Sequence, residues 1–96
     1  MRLRAFRREL ARVFTKSKVR EFRGYQHTAR ELEVQFHRLN DELPALNAAA
    51  LKAGESQDPK QLADVLRAMA ANHAASSLIL ARWADTCESA SKILAR

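Results

Sequence analysis

The chain has 96 residues, 2 Gly, 2 Pro, 1 Cys and a formal net charge of +6. Ala fills 18 positions and Leu 12, while the nine β-branched residues are scattered. Turn formers this scarce exclude sandwiches, barrels and doubly wound sheets, and leave an all-α chain whose length allows one small domain or a helical piece completed by a partner.

The charge is local. Residues 1–23 carry nine basic side chains (Arg2, Arg4, Arg7, Arg8, Arg12, Lys16, Lys18, Arg20 and Arg23) against Glu9 and Glu21, a net of +7. Residues 24–96 hold eight basic and nine acidic groups, a net of −1. A basic N-terminal segment is thus joined to a near-neutral body. The longest apolar runs are four residues, such as Leu78-Ile79-Leu80-Ala81, too short for a bilayer span or a secretory core. The single Cys permits no internal disulfide and fits a reducing, cytoplasmic compartment. An Arg-rich amphipathic start also resembles an organellar transit peptide, but Glu9 and the absence of Ser from the first 16 residues argue against one.

Leu3, Phe6, Leu10 and Val13 recur at steps of three and four, so residues 1–16 predict a short amphipathic helix with Arg4, Arg7, Arg8 and Arg12 on its other side. The apolar phase breaks in Thr15-Lys16-Ser17-Lys18, which predicts a kink or short linker before a body at 17–96. Phe22, Tyr25, Ala29, Leu32, Phe36, Leu39, Leu43, Leu46 and Ala50 then form a heptad seam over about four repeats. Pro44, inside this arm, predicts a bend near residues 40–44.

Gly54 followed by Glu55-Ser56-Gln57-Asp58-Pro59 predicts a turn at 54–58, with Gly54 as C-cap, Asp58 as N-cap, Pro59 at the first helical position and Gln61 closing a capping box. A second seam follows in Leu62, Leu66, Met69, His73, Ser76, Leu80, Trp83, Cys87, Ala90 and Leu94. Together they predict an antiparallel helical hairpin, with arms at about 18–53 and 59–95. Facing positions would sum to 112, so that Trp83 covers Ala29, Phe36 covers Ser76 and Phe22 covers Ala90. Val34, Leu51, Val65, Leu78, Ile79 and Ile93 fall outside the seams and need another surface. Either the first helix folds back on them or the hairpin forms a homodimer or a bundle with partner helices, and its short length favours the dimer.

Nothing points to catalysis, a metal or a cofactor: there is no phosphate-binding glycine loop, nucleophile elbow or paired-Cys pattern. His37 and His73 could approach across the hairpin, but as edge or core histidines rather than ligands. His27 is placed to pair with Asp85 beside the seam. Cys87 is expected to serve as a small apolar residue beneath Tyr25.

Binding chemistry is concentrated at the start. Phe6, Leu10 and Phe14 beside arginines suit a helix lying in an anionic membrane interface. The same arginines could clamp nucleic-acid phosphates, although no Tyr or Trp is interleaved among them for stacking. A solvated basic face on an ordinary bundle helix is the third possibility.

This order of elements resembles the start of BAR-superfamily domains, including the sorting-nexin type. The likeness rests on Phe22 to Leu46 and on SQDPKQLADVLRAMAANHAASSLILARW at 56–83. A full domain of that family adds a third long helix, not present in these residues. The resemblance implies a membrane-inserting N-terminal helix, with Phe6, Leu10, Phe14 and the neighbouring arginines in that role. The expected function is a non-enzymatic, dimerising module docking on an anionic, peripheral membrane surface. A nucleic-acid-associated accessory protein and a protein-binding adaptor or inhibitor are the alternatives.

Overall fold

The computed structural model describes the backbone of residues 2–95 and the side chains of residues 16–95. Two helices form an antiparallel hairpin: α1 (Arg2–Ser56) and α2 (Pro59–Leu94). The molecule is a rod of 83 × 16 × 12 Å. A straight helix of 55 residues at 1.5 Å per residue spans about 82 Å, so α1 sets the length of the whole molecule. Helix continues through Thr15-Lys16-Ser17-Lys18, where a kink or linker was expected.

The turn is shorter than predicted. α1 runs three residues past Ala53, and only Gln57 and Asp58 connect the helices. Gly54 is therefore an interior helical residue with ordinary φ, and Gln57 takes the left-handed position at φ 56° instead. The Gln57 N–H reaches back to the Gly54 carbonyl at 3.4 Å. Asp58 caps α2 as predicted, its Oδ1 accepting from the Lys60 and Gln61 N–H groups at 3.1 and 3.4 Å. Gln61 leans across the turn, where its Oε1 accepts from Ser56 Oγ at 3.3 Å.

Two residues at this turn are thus poorly matched to their backbone. A non-glycine residue in the left-handed region costs about 1–2 kcal/mol. A glycine inside a helix costs about 0.5–1 kcal/mol relative to alanine. A Cβ added to Gly54 would meet nothing within 4 Å. Gln57→Gly and Gly54→Ala are each expected to stabilise the hairpin by about 0.5–1 kcal/mol, as read from urea melts followed by circular dichroism.

The inward face of α1 follows the predicted seam from Phe22 through Ala50 and extends to Ala53, with Tyr25 at its edge. The inward face of α2 is Leu62, Val65, Met69, Asn72, Ser76, Ile79, Trp83, Thr86, Ala90 and Ile93. Every second residue of the predicted α2 seam is therefore displaced by one position. Leu66, His73, Leu80, Cys87 and Leu94 are exposed instead of inward. The facing positions sum to 115, not 112, because the turn is centred between Gln57 and Asp58. Leu32 thus opposes Trp83, Phe36 opposes Ile79 and Phe22 opposes Ile93. Rings from adjacent layers meet, Phe36 and Trp83 lying 6.3 Å apart at a tilt of 59°. The largest side chains pack on one another at mid-rod rather than on small partners.

Among the described residues Leu32, Ala53, Ile79, Ile93 and Asn72 are buried. Asn72 donates through Nδ2 to the Leu39 carbonyl at 2.8 Å and to Glu42 Oε2 at 3.3 Å. Both acceptors lie within a turn of Leu43, its opposite number in the register. Asn72 Oδ1 is buried without a hydrogen-bond partner. Pro44 sits on the outer, exposed side of α1, and the helix passes through it unbroken. A proline on the outer face puts the lost hydrogen bond on the solvent side, where water can serve the freed carbonyl.

Candidate functional site

Two surfaces remain once the hairpin is closed. The first is the unpaired end of α1. In the 115 register Leu94 lies opposite position 21, so Arg2 to Arg20 have no α2 across from them, a projection of about 28 Å. Lys16, Arg20 and Arg23 are exposed, and Lys18 is half-buried. The side chains of Arg2, Arg4, Arg7, Arg8 and Arg12, and of Phe6, Leu10 and Phe14, lie outside the described residues.

The second is the outer surface of α2. Leu66, His73, Leu80, Cys87 and Leu94 recur every seven residues along one side of the seam. Leu66, Leu80 and Leu94 are 51%, 46% and 68% exposed. Next to them runs a row of small residues, Ala63, Ala70, Ser77, Ala84 and Ser91. The two rows alternate at steps of three and four, which is a second heptad seam on the same helix. Between Arg67 and Arg82 there is no Asp, Glu, Lys or Arg at all. α1 contrasts sharply, with Arg23, Arg30, Glu31, Glu33, Arg38, Asp41 and Glu42 exposed along its outside. At the open end of the hairpin the leucine row borders an apolar trough of about 290 Å³ between the helices, lined by Phe22, Tyr25, Ala29, Cys87, Ala90 and Leu94 among others.

Of the predicted seam, Phe22, Leu32, Phe36, Leu39, Leu43, Leu46, Leu62, Met69 and Trp83 do join the two helices. Leu66, Leu80 and Cys87 do not. Cys87 is exposed, with Tyr25 as a fellow lining residue of the trough rather than a cover above it. His27 pairs with Glu31 at 3.1 Å along α1, not with Asp85. His37 pairs with Glu33 at 3.6 Å, its ring lies against Phe36, and His73 is exposed on α2. These contacts, like Asp64–Arg67 and Glu88–Lys92, join residues three or four apart on one exposed helix, each worth a few tenths of a kcal/mol.

Among the described residues no group of three or more His, Cys, Asp or Glu could hold a metal ion, and no helix is long and apolar enough to cross a membrane. No protein-family model matches the chain, and no curated protein or solved structure matches it. The surfaces themselves are therefore the basis for function. The count of charges along the sequence marks the first of them. The second was signalled by the charge-free interval from 68 to 81, which a solvated helix face has no reason to keep.

Proposed function

We propose that the chain is a non-enzymatic helical assembly module whose hairpin associates with further helices and whose basic N-terminal arm docks on an anionic membrane surface. One observation carries this proposal: α1 outlasts α2 by about 19 residues, and those residues hold the chain's concentrated positive charge. The Leu3, Phe6, Leu10 and Val13 spacing in the sequence suits an acyl-chain boundary, with the neighbouring arginines meeting lipid phosphates. The described hairpin surface offers no comparable excess of basic groups, which supports docking through the arm. The likeness in element order to BAR-superfamily domains supports the same assignment.

Co-sedimentation with vesicles of increasing phosphatidylserine content tests it. Binding should rise with anionic lipid and be lost in Phe6→Glu and Leu10→Glu. Binding that ignores lipid charge and survives both substitutions refutes the proposal. Indifference to vesicles together with salt-sensitive retention on DNA or RNA would assign the arginines to nucleic-acid phosphates instead.

A further inference from the structure

We infer that the charge-free face of α2 is the seat of a second copy of this chain, packed antiparallel about a two-fold axis near Ala74 and Ala75 to close a four-helix bundle. This rests on the assembly half of the proposed function and is independent of what the basic arm binds. Three observations carry it.

The first is area. The chain exposes 7963 Å². A compact monomer of 10.9 kDa exposes about 5,600 Å² by the usual mass scaling. The excess, about 2,400 Å², is shared between the unpaired arm and the paired rod, and even a third of it matches the 800 Å² or so that each partner gives up in a standard interface. A two-helix rod has too little interior for its length, and a second rod laid along it supplies what is missing.

The second is chemistry. Solvent-facing helix surfaces carry charge, as the outside of α1 does. The 68–81 interval has none, and Leu66 and Leu80 stand at its edges with Ala70 and Ser77 beside them. Leucines alternating with small residues let two helices interdigitate closely. A face lacking charge also fits itself: a self-complementary patch is what two-fold symmetry requires, and it contains no like-charge pair to repel.

The third sets the orientation. A parallel pair would bring two arms of net charge +7 side by side. Antiparallel packing about Ala74–Ala75, which lie level with residues 40–41 of α1, puts the arm centres about 90 Å apart, far beyond the 8 Å or so over which salt screens charge. The same geometry separates Cys87 from the partner's Cys87 by about 25 residues of rise, or 37 Å.

Sedimentation equilibrium of the full chain without lipid should give twice the chain mass at micromolar concentration. Leu80→Glu should raise the dissociation constant at least 100-fold, while Val34→Glu, on the outer face of α1, should leave it within about threefold. A monomeric wild type, or a dimer insensitive to Leu80→Glu, overturns the inference. As a check that does not depend on a disruptive change, Ser77→Cys in a Cys87→Ala background should be captured as a dimer by a short bis-maleimide. Wild-type Cys87 should not be captured; efficient capture through Cys87 would overturn the antiparallel arrangement. Loss of vesicle binding with an intact dimer refutes only membrane docking, and loss of the dimer with retained vesicle binding refutes only this inference.

Discussion

Asn72→Asp is expected to cost about 3–5 kcal/mol, enough to unfold a hairpin with so small a core. The amide nitrogen of Asn72 lies 2.8 Å from the Leu39 carbonyl and 3.3 Å from Glu42 Oε2. A carboxylate there loses both donors and faces two acceptors with a charge of its own. Glu42 is exposed, so repulsion from it is partly screened; desolvation of the new charge at a site 5% exposed is the larger effect. The sign of the pH dependence follows. Burial raises the folded-state pKa of such a carboxyl above its unfolded value, so the penalty is small below about pH 4 and grows as pH rises through the folded value. Asn72→Leu is the informative contrast. It removes the unpaired Oδ1 and adds apolar volume, and is expected to stabilise by about 1–2 kcal/mol despite the two lost hydrogen bonds. Urea melts of both variants at pH 7 and pH 3 test these expectations. Asn72→Asp as stable as the native chain at pH 7 would mean that the site is wetter than its burial indicates.

Reversal of Arg7, Arg8 and Arg12 to Glu should weaken binding to vesicles rich in phosphatidylserine by at least 100-fold. Each basic residue near a charged leaflet contributes about 1 kcal/mol, so three neutralisations alone correspond to about 3 kcal/mol, a factor of about 150. Reversal adds repulsion to that loss. Arg30 and Arg38 serve as the control because they lie within the paired part of the hairpin. Their reversal should change affinity by less than about threefold. Titration with vesicles in 50 and 300 mM salt checks both results, and the native chain should lose much of its advantage at the higher salt. Equal losses from the two sets of arginines would distribute the contact over the whole rod.

The hairpin, its capped turn and the α1 seam were legible because each rests on local chemistry. Asp58-Pro59 caps a helix in almost any context, and Phe22 to Ala50 have a single apolar phase. α2 offered two phases that share Leu62, Met69, Ser76, Trp83 and Ala90. Choosing between them by hydrophobicity selects Leu66 and Leu80, whereas the folded chain turns Val65, Asn72, Ile79 and Thr86 inward. Hydrophobicity misleads here because α2 is apolar on two sides, and a polar residue, Asn72, occupies the buried one. The three-residue error in register has a similar origin. It came from assigning the helix end to Gly54, while the chain accepts a left-handed Gln57 to extend α1 by most of a turn. The basic arm was legible as composition and charge, which need no tertiary context.

The constant register has a consequence for how the chain folds. Each layer of the hairpin closes a loop centred on the same bond, between Gln57 and Asp58, and encloses the layer formed before it. Once Ala53 and Leu62 meet, every later contact joins segments already held side by side, so the entropic cost of loop closure falls almost entirely on the first step. Helix–helix juxtapositions that are distant in sequence, such as Phe22 beside Ala90 and Leu94, are thereby made local in time. A rod with this topology is expected to close like a zip from the turn outward, so that substitutions between Ala53 and Leu62 change its folding rate more than equally destabilising ones near Phe22, as stopped-flow refolding would show.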